Sequence, residues 1–304
     1  MFLTIAILGK LMNCFGYDNL SYGRSAVQSS TYTCFWFRGR NCTSSTYIAS
    51  KAVDGYISTC TRTEYIGLNN AYDKVWWYVD LGGIRSVYDI RIRFKDYKDE
   101  HGNLYLTRQR KRLAGFSLYI SNTSRREDGY LCYEDLSTLG LPDLDFSTRC
   151  IKYGRFVIFY NERMDQKFYS SSRYENPALT ELCDVVVQGC YRTGVYGYSC
   201  DINCPTKCQG RRCDIVNGYC LGCTEGWSGS NCNQACPSGW YGLECKLSCS
   251  GNCRYSDICN HVTGRCDRGC ASGWKGSHCN KLLKCKRVML LFHLGQKFEL
   301  WRCQ

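Results

Sequence analysis

Val75-Trp76-Trp77-Tyr78-Val79-Asp80-Leu81-Gly82-Gly83 is the stretch that decides the class of the first half of this chain. Its aromatic and β-branched residues have the composition of a core strand, and the two glycines mark its expected end. Further short β runs lie outward from it. Ile90-Arg91-Ile92-Arg93-Phe94 and Phe116-Ser117-Leu118-Tyr119-Ile120 alternate with period two, and Phe156-Val157-Ile158-Phe159-Tyr160 and Val185-Val186-Val187 follow. No stretch keeps apolar residues at helical spacing over twelve positions. Short strands separated by Gly, Asn, Asp and Ser turns predict an antiparallel sandwich or barrel, with two sheets to bury between.

The second half is different in kind. Of 25 cysteines in 304 residues, seven precede residue 184 and eighteen follow it. The length suggests about two folding units. The cysteine gradient predicts a conventional domain, then a region stapled by disulfides because it has too little apolar material for a core. With 39 Lys and Arg against 27 Asp and Glu, the net charge is +12. That charge favours anionic partners such as sulfated glycans, anionic phospholipid or acidic protein faces. A cysteine-dense chain points to an oxidising compartment, which argues against nucleic acid as the partner.

Residues 1–16, MFLTIAILGKLMNCFG, read as a signal peptide cleaved before Tyr17, against the alternative of a buried N-terminal strand. Removing Cys14 leaves 24 cysteines, an even number suited to full pairing. Asn19, Asn41 and Asn122 open glycosylation sequons, usable on a secreted, extracellular chain. No run approaches the ~20 apolar residues of a transmembrane segment.

An internal repeat of eight cysteines is visible without any name attached. One copy contains Cys190, Cys200, Cys204, Cys208, Cys213, Cys220, Cys223 and Cys232. The next contains Cys236, Cys245, Cys249, Cys253, Cys259, Cys266, Cys270 and Cys279, each offset by 45 to 47 positions. Gly194-Val195-Tyr196-Gly197, Gly226-Trp227-Ser228-Gly229, Gly239-Trp240-Tyr241-Gly242 and Gly273-Trp274-Lys275-Gly276 each end three residues before a cysteine. The glycines permit tight turns between bridges, and the aromatic covers them. Zinc chelation through Cys220-x-x-Cys223 and Cys266-x-x-x-Cys270 is the alternative, disfavoured by sixteen regularly spaced cysteines with few histidines. The repeat resembles tandem EGF-like modules of the laminin type, as in multiple-EGF-like and class F scavenger receptors. The expected organisation is EGF-like module 1 at 190–235, module 2 at 236–279, and a basic tail or incomplete module at 280–304. Within the tail, Cys285 and Cys303 either pair with each other or begin a failed third module.

Residues 17–189 carry a second resemblance. Ala26-Val27-Gln28-Ser29-Ser30-Thr31-Tyr32, Ala49-Ser50-Lys51-Ala52-Val53-Asp54-Gly55 and Trp76-Trp77-Tyr78-Val79-Asp80-Leu81 resemble the F-type lectin (fucolectin) domain, a galactose-binding-like jelly roll. Leu113-Ala114-Gly115-Phe116, Arg155 to Phe159 and Glu181-Leu182-Cys183-Asp184-Val185 follow in the matching order. The resemblance implies bridges Cys60–Cys183 and Cys132–Cys150; Cys34 and Cys42, separated by seven residues, are extra to that pattern and are expected to staple their own loop.

It also implies a structural calcium. The position-matched oxygens are the carbonyls of Lys51, Tyr56 and Cys183, the side chains of Asp54 and Asp184, and Thr59; the bland reading makes Asp54 a turn residue before Gly55. Three basic side chains fall where fucolectins hold their sugar: Arg62 at the His position, Lys95 at the first Arg and Arg112 at the second. The adjacent-cysteine pair usual between those arginines is absent, and a longer insert from His101 to Gln109 takes its place. Arg62 cannot accept a hydrogen bond as imidazole does, and Lys95 lacks the planar fork of Arg. The chemistry therefore favours an acidic sugar, a sulfated glycan or a lipid phosphate over fucose, with Arg108, Arg110 and Lys111 adding positive field unless they form an inert solvated loop.

No catalytic constellation is present. The chain has four histidines, no Gly-rich phosphate cradle, no HExxH and no nucleophile elbow. The sequence thus predicts a secreted recognition protein that binds glycans or anionic surface ligands through a lectin-like domain, with the EGF-like modules available to protein partners. The alternatives are an adhesion or scavenger-type protein whose jelly roll has lost binding, and a structural extracellular component.

Overall fold

The computed structural model describes residues 16–33, 45–67, 73–97, 107–136, 140–163, 173–175, 178–291 and 297–303. The expected leader through residue 15, Cys34, Cys42, Asn41 and His101 lie outside them. The chain divides into two compact units, Met1–Ile202 and Asn203–Gln304.

The first unit is mostly β. Its strands are β1 (Asp18–Asn19), β2 (Ala26–Gln28), β3 (Lys74–Phe94), β4 (Ser117–Ser121), β5 (Tyr130–Glu134), β6 (Asp145–Glu162) and β7 (Leu182–Cys190). All pair antiparallel in one sheet of order β1-β7-β3-β6-β4-β5, with β2 beside the first half of β3. The separate strands expected at 75–81 and 90–94 are one strand of 21 residues. Gly82-Gly83 does not end it. Between Asp80 and Arg85 the register against β6 shifts, so Leu81 to Ile84 loop out while the ladder resumes beyond them. Gly82 has φ +75°, a left-handed conformation costly for other residues, and its N–H donates to Asp80 Oδ1 at 2.9 Å. Arg155, opposite the bulge on β6, grips both Asp80 oxygens at 2.8 and 2.7 Å. That bidentate hydrogen bonding, opposed by partial burial, holds the Asp80 carboxyl below its ordinary pKa.

The expectation of two separate sheets is corrected in the same way. Hydrogen bonds link all seven strands, and the sheet doubles over so that both halves of β3 feed one core. A straight strand of this length would run about 70 Å. Instead Phe94 reaches to 6.1 Å from Phe159, the register partner of Trp77. Alternation buries Val75, Trp77, Val79, Leu81 and Val87 in the first part. A second register shift between Val87 and Asp89 moves the buried set to Ile90, Ile92 and Phe94. Leu118, Ile120, Val157, Val185 and Val187 complete the cluster. Cys60 is bonded to Cys183 and Cys132 to Cys150.

The second unit consists of small disulfide-bonded segments consistent with EGF-like modules. Interleaved bridges Cys204–Cys213 and Cys208–Cys220 precede Cys223–Cys232 and Cys236–Cys245. Cys249–Cys259, Cys253–Cys266 and Cys270–Cys279 repeat the order. One turn recurs four times, first at Cys190–Cys200 in the first unit and then at the other three short loops. At Gly273-Trp274-Lys275-Gly276 both glycines are left-handed (φ +87° and +94°), and the Cys279 N–H closes on the Gly276 carbonyl at 3.1 Å. Cys279 is itself left-handed (φ +52°), as are Cys200, Cys232 and Cys245. Trp274 and Tyr241 pack against the Cys253, Cys259, Cys266 and Cys279 cluster, the disulfide sulfur standing in for an apolar core. The two copies are joined by main chain where the Gly226 N–H donates to Gly242 O at 2.9 Å, and within the second copy the Gly242 N–H donates to His261 O at 3.1 Å. A hairpin of Cys285–Leu291 and Lys297–Cys303 follows, with Cys285 the register partner of Cys303.

Candidate functional site

Residues 61–63 run antiparallel to 180–182. The Thr61 N–H donates to Leu182 O at 2.8 Å and the Thr63 N–H to Thr180 O at 3.1 Å, next to the Cys60–Cys183 bridge. Thr61 and Thr63 are buried, so alternation turns Arg62 to the opposite side. Just beyond β3, the Lys95 N–H donates to Glu181 O at 3.3 Å. A short helix over 107–113 supplies Gln109 and Arg112. Three distant segments thereby meet around Glu181, whose side chain is only 3% exposed.

Arg62 sits among three tyrosines. Its guanidinium carbon lies 4.1 Å from the Tyr32 ring centre, 5.8 Å from Tyr65 and 6.0 Å from Tyr47, and Nη2 donates to the Tyr65 hydroxyl at 3.0 Å. Its Nε is 3.6 Å from Glu181 Oε1. Burial opposes the charge, but Glu181 and the surrounding tyrosine oxygens outweigh it and raise the Arg62 pKa. Arg112 approaches the same Tyr65 ring, at 5.9 Å. Lys95 lies over Tyr97 at 5.4 Å, and the Tyr97 hydroxyl donates to Glu181 Oε1 at 2.7 Å. The three expected cations are thus connected through two rings and one carboxylate. Arg112 is nearly inaccessible, at 6% exposure.

Three buried atoms here lack a hydrogen-bond partner: Arg62 Nε, Arg112 Nε and Gln109 Oε1. Gln109 uses its amide NH₂ on Glu181 Oε2 at 3.0 Å. Two donors and one acceptor left over is a pattern that hydroxyl groups complement, since each hydroxyl both accepts and donates. Tyr32, Tyr47, Tyr65, Tyr97, Gln109 and Glu181 are site residues that reading the sequence missed. The one signal was the tyrosine count of 24.

Two members of the neighbouring basic run have acidic partners. Arg108 Nε is 2.7 Å from Glu175, and Arg110 donates to Pro142 O, Leu141 O and Asp143. Their positive field is therefore local.

Of the oxygens implied for calcium, those of Lys51, Asp54 and Tyr56 gather around the Thr59 hydroxyl. Its hydroxyl donates to Asp54 Oδ2 at 2.7 Å and lies 3.0 Å from Tyr56 O and 3.5 Å from Lys51 O. Asp184 has its pKa raised, first by burial and further by Asp54 and Asp145, with Arg93 opposing. Two carboxylates of like charge near main-chain carbonyls make a hard-oxygen set of the sort calcium takes. Lys51 Nζ, 3.5 Å from Asp54, occupies part of that field. Among the described residues no group of three or more His, Cys, Asp or Glu is placed to hold a metal. Of the sequons, Asn122 is exposed, while Asn19 accepts hydrogen bonds from the N–H and hydroxyl of buried Ser21. Among the described residues no helix is long and apolar enough to cross a membrane.

No family model matches the chain. No curated protein matches it either. Several solved structures resemble part of it distantly. Chitosan-binding module 1 of a chitosanase/glucanase from Paenibacillus sp. IK-5 is 16% identical, over 57% of this chain and all of that one, with a TM-score of 0.38. The lectin domain of Lectinolysin, complexed with Lewis B antigen, is 20% identical over 56% of this chain and 95% of its own (TM-score 0.36). An f-lectin (fucolectin) from Morone saxatilis (striped bass) serum is 19% identical over 57% of this chain and 47% of its own (TM-score 0.38). Scores at this level assign neither a family nor a ligand to the chain.

Proposed function

We propose that this is a secreted, non-catalytic recognition protein. Its first unit, a jelly roll in the manner of F-type lectins, binds a glycan or other anionic surface ligand at Arg62, Lys95 and Arg112. The observation that carries the reading is the meeting of these side chains on Tyr65, Tyr97 and Glu181, with unpartnered guanidinium and amide atoms among them. Three cations against one carboxylate favour an anionic group, and the leftover donors and acceptor suit hydroxyls. Bridges throughout both units support an oxidising, extracellular location.

Changing Arg62 and Arg112 together to Ala is expected to weaken glycan-array binding by about tenfold or more, two charge-assisted hydrogen bonds being lost. Titration of the best array ligand against both proteins checks this. Undiminished binding by the double variant would overturn the site.

The reading includes a structural calcium held by Asp54, Asp184, Thr59 and the carbonyls of Lys51, Tyr56 and Cys183. Its role is to fix the loop that leads through Cys60 to Arg62. About 1 mM calcium, an ordinary extracellular affinity range, is expected to raise the thermal midpoint relative to chelator, and Asp54→Asn to remove the shift. Equal midpoints with and without the ion would sink the calcium assignment while leaving the ligand site standing.

A further inference from the structure

A second concavity lies away from the Arg62 cluster, on the outer face of the doubled sheet. While Val75, Trp77 and Val79 enter the core, Lys74, Trp76 and Tyr78 leave β3 on the other side. Their register partners on β6 are Glu162, Tyr160 and Ile158. The Trp76 and Tyr78 rings are 5.6 Å apart and within 10° of parallel. Arg126, from the turn after β4, lies over Tyr160 with its guanidinium carbon 3.6 Å from the ring centre.

Between these walls is a cavity of about 320 Å³, and Arg126 and Tyr160 also line an adjoining one of about 240 Å³. Together they form a groove running across β3, β6 and β4 to the end of β5. The two ends differ in charge. The Trp76 end has Lys74, Arg125 and Arg126 against Glu127 alone, and Glu127 is 3.4 Å from Arg126 and 3.8 Å from Arg125. The other end is close to balanced: Glu134 and Glu162 face Arg126 and Arg163, and buried Asp135 is held by Arg173 at 2.7 Å and by the Gly115 N–H at 2.6 Å.

We propose that this groove is a second binding site, for an oligosaccharide that alternates acidic and neutral sugars. Aromatic rings beside arginines suit a sugar whose C–H face packs on the ring while its carboxylate or sulfate meets the guanidinium. Glu134 and Glu162 at the far end are acceptors for the hydroxyls of the neighbouring neutral sugar. A peptide strand would need free backbone groups at a sheet edge, whereas most of this groove lies over the paired strands β3, β6 and β4 and meets the edge strand β5 only at its last residue, Glu134. Arg62, Lys95 and Arg112 line neither cavity, so the site is independent of the one proposed above.

The test is calorimetric titration of the full chain with three probes: a uronate–N-acetylhexosamine tetrasaccharide, an uncharged N-acetylglucosamine tetramer and a poly-glutamate peptide. The uronate probe is expected to bind best. Trp76→Ala with Arg126→Ala should weaken it by about tenfold or more, the loss of a stacking and a charge contact. Lys74→Gln with Arg125→Gln, at exposed positions that leave the core untouched, should weaken it about threefold and flatten its salt dependence. Arg62→Ala with Arg112→Ala removes only the first site and should leave the groove's own binding step, with its affinity for the uronate probe, unchanged. Unaltered affinity in both groove variants, or equal binding of the uncharged tetramer or the peptide, would overturn the proposal. Loss in the Arg62 and Arg112 variant alone would assign the ligand to the first site instead.

Discussion

Replacing Cys60 and Cys183 together by Ser is expected to destabilise the first unit by about 5 kcal/mol, the closure entropy of a loop of this size on the chain-entropy account. The bridge spans 123 residues and ties the segment bearing Arg62 to the strand that follows Glu181. Its loss frees the unfolded chain and also loosens the Thr61–Leu182 and Thr63–Thr180 backbone bonds that hold Arg62 beside Glu181. The double variant should therefore unfold on the order of 10 °C lower. Ligand binding should be weakened even well below that temperature. Removing Cys132 and Cys150, which close only 18 residues, should cost about 3 kcal/mol and spare binding. Thermal unfolding of both variants, with titration at 15 °C, checks the pair. Equal losses from the two bridges would contradict the assigned role of the longer one.

The second large effect is expected at Gly189. On β7 this residue lies opposite Val87 of β3 and Asp18 of β1. A Cβ there would collide with the Ser86 carbonyl oxygen, and it would stand 2.8 Å from Leu20 Cδ1 and 3.0 Å from Val87 Cα. Two of those neighbours are main chain in a paired strand, so β7 must move off β3. Gly189→Ala is expected to cost about 3 kcal/mol, the upper part of the overpacking range. Gly154→Ala provides the comparison, since there the main-chain neighbours of a Cβ stand off at 3.1 and 3.3 Å (Ser121 O and N) and the closer obstacle is a side-chain methyl of Ile120. Chemical denaturation should rank Gly189→Ala clearly below Gly154→Ala. The reverse order would show that the β3–β7 contact is softer than its geometry indicates.

The parts of this molecule that the sequence announced are those written in short-range spacing. The turn ahead of Cys200, Cys232, Cys245 and Cys279 repeats because each needs two left-handed glycines and an aromatic lid within seven residues. The β runs around Trp77, Ile92 and Phe159 were equally legible, since alternation reports which side chains face a core. The continuity of β3 was not. Gly82-Gly83 has the composition of a stop, and only Asp80 and Arg155, 75 residues apart, reveal a bulge inside a ladder.

The three basic positions could be named from their neighbours in sequence, but their surroundings could not. Tyr32, Tyr47, Tyr65 and Tyr97 come from separate segments with no common spacing. Glu181 looked like an ordinary residue at the head of a strand until Arg62, Tyr97 and Gln109 were seen to turn toward it. The groove at Trp76 was hidden for a related reason. A strand with aromatics on both faces reads simply as hydrophobic, and only the fold tells which ring faces outward.

The overlapping bridges of the second unit determine how it responds to pulling. Between Cys204 and Cys279 nearly every residue lies inside a covalent loop, and the stretches between loops are two or three residues long. A force applied along this region can draw out almost no slack before bonds rather than folds bear the load. From Cys204 to Cys279 the chain would behave as an inextensible strap.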